Sequence, residues 1–401
     1  MSLLEDLQKE EVWKDFFEYR QSHEQLSKRE IRELSSFLAE KRYERYRDLS
    51  FSVPEKRKIA KQGSSKKRVI YTLPADEMWM LKMLAFLLHK YDRKLRDSCY
   101  AFRKDRSVRD AFEAIRKIPD LSGKYIVKAD IHDYFNSIDA DILSKILKKI
   151  LEDDEELFCF MDGFLHTDKA TEDGVLLNGK RGAMAGIPLA SFFANFYLLS
   201  LDAFFEEKKI PYFRYSDDIL FICESKEEAE RCFQYLKDHL KKRGLLLNEE
   251  KVFFYGPHEP FEFLGLRYEE GEIDLSKVTL EKMKARIRRK AGAVYRNRKR
   301  KGLSYEKAAV SLISSLDRKF YDLFGDNSYT WTKWYFPLLT KTDGLHAIDG
   351  TIIEYLRFLK SGRHYKGNYQ VTYEDLKKLG YTSLVHEYYT WKKEEKKLKE
   401  Q

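Results

Sequence analysis

The stretch Tyr212-Phe213-Arg214-Tyr215-Ser216-Asp217-Asp218-Ile219-Leu220-Phe221-Ile222 decides the fold. Two apolar arms close on an acidic tip, which reads as a tight β-hairpin. Adjacent like charges repel, and a hairpin gains nothing from Asp217 and Asp218 unless a cation neutralises them. Carboxylate oxygens suit Mg²⁺, and two such ions held by carboxylates are a recurrent device for transferring phosphate. The pair calls for a third carboxylate on a neighbouring strand.

Asp130 answers that call. It ends the β-branched run Tyr125-Ile126-Val127-Lys128-Ala129-Asp130-Ile131, opened by Ser122-Gly123, which reads as a buried strand. Helical spacing follows from Ile142 to Leu151. Alone, Asp130 reads more readily as a helix cap or turn residue than as a ligand, and an Asp-Asp pair as turn chemistry. Their combination carries the argument.

The chain has 401 residues, enough for two or three subdomains. Charged residues make up 35% and hydrophobic ones 43%, as in a soluble globular protein. No apolar run approaches the roughly 20 residues of a membrane span, so no membrane partner is expected. The opening Met1-Ser2-Leu3-Leu4-Glu5-Asp6 lacks the blocks of a signal peptide. Cys99, Cys159, Cys223 and Cys232 show no CxxC spacing, which points to a reducing, cytoplasmic setting and away from a zinc site. The net charge of +9 suits a polyanionic partner as well as a plain basic protein.

Along the chain, residues 1–56 read as a helical extension, with Ser27-Lys28-Arg29-Glu30 as a capping box. Residues 57–73 read as a basic hairpin turning at Gly63-Ser64-Ser65, and 75–117 as helices around a loop at 98–103. Residues 124–270 alternate strands and helices. Met184-Ala185-Gly186-Ile187-Pro188 is a glycine turn entering a long apolar helix, and Gly186 permits close approach of backbone to a ligand. Lys251, after Gly244-Leu245-Leu246-Leu247-Asn248-Glu249-Glu250, is a proton donor candidate for a leaving pyrophosphate; taken alone it reads as a solvated residue. Phe261-Glu262-Phe263-Leu264-Gly265-Leu266 reads as a second small hairpin.

Eleven of the twenty residues from Lys282 to Lys301 are Lys or Arg and none is acidic. The charge spread over Lys282, Arg286, Arg289, Arg296 and Arg300 suits phosphate contacts. The tail from 326 to 401 reads as irregular. Its Trp331, Trp334, Tyr335, Arg363, His364, Tyr365, Lys366 and Tyr369 serve either base stacking or packing.

The order Asp130, Gly186-Ile187-Pro188, Tyr215-Ser216-Asp217-Asp218, Gly244 to Lys251, Phe263-Leu264-Gly265 resembles the palm of reverse transcriptases, above all bacterial retroelement-type enzymes related to group II intron proteins and retrons. Lys67-Arg68-Val69-Ile70-Tyr71-Thr72-Leu73-Pro74 is similar to the family's fingers strand. Tyr100-Ala101-Phe102-Arg103 is similar to its Tyr-Gly-Phe-Arg block. The resemblance covers residues 57–325. It implies an α+β right-hand polymerase fold: fingers at 57–123, palm at 124–276, a basic helical thumb at 277–325, and an appended region at 326–401.

Carried over by position, the resemblance implies two Mg²⁺ ions, or Mn²⁺ in their place. They would be held by Asp130, Asp217, the less direct Asp218 and the Ile131 carbonyl. Lys61 and Arg68 would grip the incoming triphosphate. Phe135 would collide with a ribose 2′-OH and so select deoxynucleotides. Gly186 and Pro188 would border the nascent base pair, Lys251 would be the general acid, and Phe263 to Leu266 the primer grip, with Arg103 and the thumb cations on nucleic acid. The implied activity is RNA-directed DNA synthesis, with an RNA template, dNTPs and a DNA product. A companion structured RNA or a partner protein, and a domesticated role such as phage defence, follow by the same analogy. Departures are Ala185 where group II proteins have Gln, and Ala190-Ser191 where they have Ser-Pro. They leave room for a template-independent or protein-primed enzyme. The other alternative is an RNA-binding, maturase-like factor, against which the intact acids argue.

Overall fold

A computed structural model describes residues 2–23, 26–60, 67–179, 182–321 and 330–399. The chain divides into two units, one of residues 1–21 and 25–259, the other of 260–401 with 22–24. Helices and sheets are mixed in both, the expected α+β class.

The first unit opens with α1 (Leu3–Asp6), α2 (Glu10–His23) and α3 (Lys28–Ala39). The Ser27 hydroxyl accepts from the Glu30 N–H and the Glu30 carboxylate accepts from the Ser27 N–H, so the capping box is present. Trp13, Phe37 and Tyr43 are buried together, the Trp13 ring 5.2 Å from Phe37 and 5.6 Å from Tyr43. This N-terminal region is therefore part of the unit's core. Strands β1 (Glu55–Ala60) and β2 (Lys67–Thr72) pair as the basic hairpin, while its expected turn and Lys61 lie outside the described residues. Helices α4 (Ala75–Leu87) and α5 (Val108–Arg116) flank the loop at 98–103.

Strand β3 (Tyr125–Asp130) is followed by α6 (Tyr134–Ser137), α7 (Ala140–Ile150) and α8 (Glu155–Leu165). Strands β4 (Lys169–Glu172) and β5 (Val175–Asn178) form a hairpin whose Thr171 pairs in parallel with Glu55, giving the sheet order β2-β1-β4-β5. The sequence reading places these residues in the stretch 124–276; a pairing over more than 100 residues joins them to the β1–β2 hairpin. Helices α9 (Ala190–Tyr197) and α10 (Leu199–Glu207) lead to β6 (Tyr212–Tyr215) and β7 (Asp218–Cys223). Helix α11 (Lys226–Lys242) and β8 (Phe253–Tyr255) complete the unit. The second sheet runs β6-β7-β3-β8, antiparallel throughout. Val127, Ala129, Ile219 and Phe221 on one face and Ile126, Leu220 and Ile222 on the other are all buried, which explains the near-continuous apolar runs of β3 and β7.

Arg214, on β6, and Asp202, on α10, form an ion pair with both side chains fully buried. Arg214 Nε donates to Asp202 Oδ1 at 2.7 Å, and Nη2 also donates to the Asn195 carbonyl at 3.0 Å. The Arg214 backbone is held as well: its N–H donates to the Ser98 carbonyl (2.8 Å) and its carbonyl accepts from the Tyr100 N–H (2.9 Å). The hairpin base is thus tied to α9, α10 and the 98–103 loop.

In the second unit β9 (Phe261–Phe263), β10 (Leu266–Glu269) and β11 (Glu272–Leu275) form a meander. The units divide at 259/260, so these strands group with the helices that follow, whereas the sequence reading ends the palm at 276. The helices are α12 (Lys277–Lys301), α13 (Tyr305–Phe320), α14 (Trp331–Tyr335), α15 (Asp343–Ser361), α16 (Tyr373–Lys378) and α17 (Leu384–Lys399). The tail expected to be irregular is helical. Leu345, Ile348, Ile352, Leu356 and Leu359 carry helical spacing and are buried. Helix α12 buries Met283, Ile287 and Ala291 and stops at Gly302, whose φ of +62° forms a left-handed cap.

Removing one partner of a fully buried ion pair strands the other charge. Asp202→Ala is expected to lower unfolding stability by about 3–5 kcal/mol in a denaturant titration; an unchanged midpoint contradicts this account of the hairpin base.

Candidate active site

The β3/β7 register places Asp130 directly opposite Asp218. The two-residue connection Ser216-Asp217 closes the hairpin, with Ser216 at φ +61°, the backbone such tight connections require. The Ile131 N–H donates to the Asp217 carbonyl at 3.1 Å, which fixes the turn against the end of β3. Strand and hairpin therefore bring Asp130, Asp217 and Asp218 to one sheet edge.

Asp130 is 4% exposed. Its carboxylate accepts from Lys251 Nζ at 2.6 Å and from Asn248 Nδ2 at 3.2 Å. The flanking pairs His132 N–H to the Leu246 carbonyl and Asn248 N–H to the Asp130 carbonyl, both 2.8 Å, anchor the 244–251 segment without engaging the Ile131 carbonyl. Burial, then the nearby Asp130 carboxylate, raises the Asp217 pKa, while Lys251 and Arg68 oppose the shift. Burial, then Asp217 and Asp130, pushes Asp218 up to about 6. The edge thus concentrates negative charge in a poorly solvated place.

A hard divalent cation fits this donor set, because the side chains offer only carboxylate oxygens and their mutual repulsion disappears when a cation joins them. Among the described residues no three His, Cys, Asp or Glu side chains already converge on a common point. The Asp130 carboxylate is turned to Lys251 and Asn248.

The other expected residues sort unequally. Arg68, on β2, is exposed and its charge reaches Asp217. Phe135 is half-buried, its ring edge-on to Phe102 at 6.2 Å. Phe102 is 43% exposed at φ +57° and also faces Tyr215 at 6.5 Å. The left-handed backbone that presents this exposed ring is invisible in composition, so the sequence alone does not single out Phe102. Asn248 was missed for the same reason as any short polar residue in a loop. Gly186, at φ +100°, does make a close approach, but to the Tyr71 carbonyl of β2, 2.7 Å from where a Cβ would sit. The Tyr71 N–H donates to the Ala185 carbonyl at 2.7 Å. Its glycine is required by that contact between chain segments. Pro188 is half-buried at the entry to α9.

Arg103 and Phe263, expected on nucleic acid, are engaged within the protein. The Arg103 side chain is 5% exposed, pairs with Asp105 at 2.8 Å and donates to the Arg96 and Cys99 carbonyls. It braces its own loop. Phe263 is 1% exposed in the core of the second unit, and Gly265 packs against Thr279 Oγ1. On α12, Lys282, Arg289, Arg296 and Arg300 are exposed and Arg286 is half-buried. Arg298 instead donates to the Lys360 carbonyl at 2.9 Å and Arg288 to the Tyr355 hydroxyl at 3.1 Å.

An acidic strand end opposite an acidic hairpin turn, in an α+β chain, is an arrangement suited to metal-assisted phosphoryl transfer. The family profile described as reverse transcriptase (RNA-dependent DNA polymerase) matches residues 59–268, more than half of the chain, and the chain belongs to that family. It is similar to the retron Ec83 reverse transcriptase of Escherichia coli, 26% identical over 147 residues, 33% of this chain and 44% of that one. It is also similar to the retron Ec86 reverse transcriptase of Escherichia coli, 20% identical over 245 residues, 57% of this chain and 67% of that one. The aligned region thus spans under half of the first relative. Among solved structures, apo telomerase from Candida tropicalis truncated from its C-terminal domain matches with a TM-score of 0.47 at 15% identity, covering 56% of this chain and 55% of that one. Telomerase from Candida albicans in complex with a fragment of telomeric RNA matches with 0.46 at 14%, covering 87% and 71%.

Asp218 yields a pH signature. Its folded-state pKa lies above the roughly 3.9 of an unfolded aspartate, so the folded state holds the proton more tightly. Stability then falls as pH rises from about 4 through 6 and stays lowered above that. In chelator-treated buffer, Asp218→Asn is expected to be more stable than wild type at neutral pH by about 1–3 kcal/mol and to flatten that slope; equal stability at both ends contradicts the assignment.

Proposed function

We propose that the chain is an RNA-directed DNA polymerase, extending a primer 3′-OH with dNTPs on an RNA template. The observation that carries this reading is the register that sets Asp130 against Asp218 beside Asp217, within a chain of the reverse transcriptase family. Asp130, Asp217 and Asp218 hold the divalent ions, two Mg²⁺ in this reading, with the Ile131 carbonyl as an added oxygen donor. Bound there, the ions supply Lewis acidity to the attacking hydroxyl and the leaving pyrophosphate.

The protein's own residues do the rest by position and charge. Arg68 contributes a cation beside Asp217, suited to a triphosphate. Phe135, backed by Phe102, narrows the space beside the incoming sugar and favours deoxynucleotides. Lys251, which donates to Asp130 at 2.6 Å, would supply from its ammonium the proton that the leaving pyrophosphate takes up. The exposed cations of α12 hold the phosphates of the template–product duplex as the thumb. The retron relatives support a retroelement origin, a companion structured RNA as partner and, by extension, a role in phage defence. No described helix is long and apolar enough to cross a membrane.

Primer extension on an RNA template, with dNTPs or rNTPs, tests the reading. Wild type is expected to make template-matched DNA, and Asp217→Ala to lose on the order of 10³-fold or more of the rate. Product that ignores the template establishes the template-independent class. Tight RNA binding with no product from either protein establishes the binding factor. The thumb role has its own measurement: each of Lys282→Ala and Arg289→Ala is expected to weaken duplex binding and to reduce the salt slope by about 1. Unchanged slopes exclude α12 from phosphate contact.

A further inference from the structure

On β3 every second side chain shares a face, so Lys128 stands on the Asp130 face, about 7 Å along the strand. Its cross-strand partners are Leu220 on β7 and Phe253 on β8. Leu220 has no exposed surface, whereas Phe253, on the outermost strand of the sheet, is 42% exposed. The Lys128 ammonium lies 5.7 Å from the centroid of the Phe253 ring. Tyr255, two residues on along β8, stacks against Phe253 with centroids 6.1 Å apart and planes 23° apart. Among the described residues Lys128 has no carboxylate within ion-pairing distance, although its charge reaches Asp218 and lowers the proton affinity there. An exposed ring, a second ring stacked on it and an unneutralised cation thus continue the carboxylate edge along β3 and β8.

A cation over a ring stabilises an exposed edge strand by itself, and that accounts for some of the pairing. It does not account for a bulky ring left open on the face where Asp130 stands. That combination of flat apolar surface and positive charge fits a nucleotide, with the base or sugar on the ring and the phosphate on the ammonium. We infer that Phe253 and Lys128 form a binding subsite for the 3′-terminal nucleotides of the strand being extended. This rests on the polymerase reading above. Phe253 and Lys128 are positioning residues: they hold the strand end and touch no reacting atom.

The test is equilibrium binding of a primer–template duplex, without added nucleotide, to wild type, Phe253→Leu and Lys128→Gln. Leucine keeps the apolar cover and removes the aromatic face. Phe253→Leu is expected to weaken binding by about 5- to 100-fold, the range of one lost base stack, and Phe253→Trp to restore it. A 2-aminopurine at the primer 3′ end is expected to be quenched by wild type and by Phe253→Trp and to stay bright with Phe253→Leu. Lys128→Gln is expected to reduce the salt slope by about 1. Binding within twofold of wild type and unchanged quenching in Phe253→Leu overturn the inference. Template-matched DNA from wild type alongside that result leaves the polymerase reading standing. Lost binding and quenching in Phe253→Leu, with no DNA from wild type, keep the subsite and reject the polymerase reading.

Discussion

The structure depends on holding three carboxylates together in poor solvation, and the buried Arg214–Asp202 pair is what makes the hairpin able to do so. Two charges without exposed surface are costly to desolvate and stable only while each satisfies the other. Arg214 also fastens the backbone of β6 to Ser98 and Tyr100 and its guanidinium to the Asn195 carbonyl. The β6–β7 turn therefore cannot slide along β3. A slip of one residue would turn Asp218 to the opposite face from Asp130.

The acids themselves work against stability. Asp217 and Asp218 both hold their protons more tightly than free aspartate does, because burial disfavours ionisation of each, reinforced by the Asp130 charge at Asp217 and by the Asp217 and Asp130 charges at Asp218. Lys251 forms an ion pair with Asp130 at 2.6 Å. A fold that retains such a cluster carries a local conflict of the kind found at functional sites, where consistency between levels breaks down. The proposed role of Lys251 uses the same ion pair, since an ammonium that balances the carboxylate in one arrangement is free to act on phosphate in another.

Much of this was legible in the residues. Two apolar arms around Asp217-Asp218, the strand ending at Asp130, the capping box at Ser27 and the long basic helix after 277 all express local periodicity and turn chemistry, and the structure contains them. What the residues did not display is set by packing, between distant segments or within a loop. Thr171 pairs with Glu55, so β4 and β5 join the β1–β2 sheet. Arg103 turns into its own loop, and Phe263 into the core, because loop and edge side chains point where packing sends them. The apolar spacing of 343–361 was visible beneath an aromatic and basic surface that dominated its reading. Phe102 and Asn248 carried no pattern at all.

The account's central claim is that Asp130, Asp217 and Asp218 together bind divalent ions. Calorimetric titration of Mn²⁺ into the full chain, wild type against Asp217→Asn, measures this without catalysis. The account predicts saturable binding to wild type that the variant weakens by about tenfold or more, at least what loss of an outer partner costs a metal site. Equal Mn²⁺ binding by both proteins, or none by wild type, would contradict it.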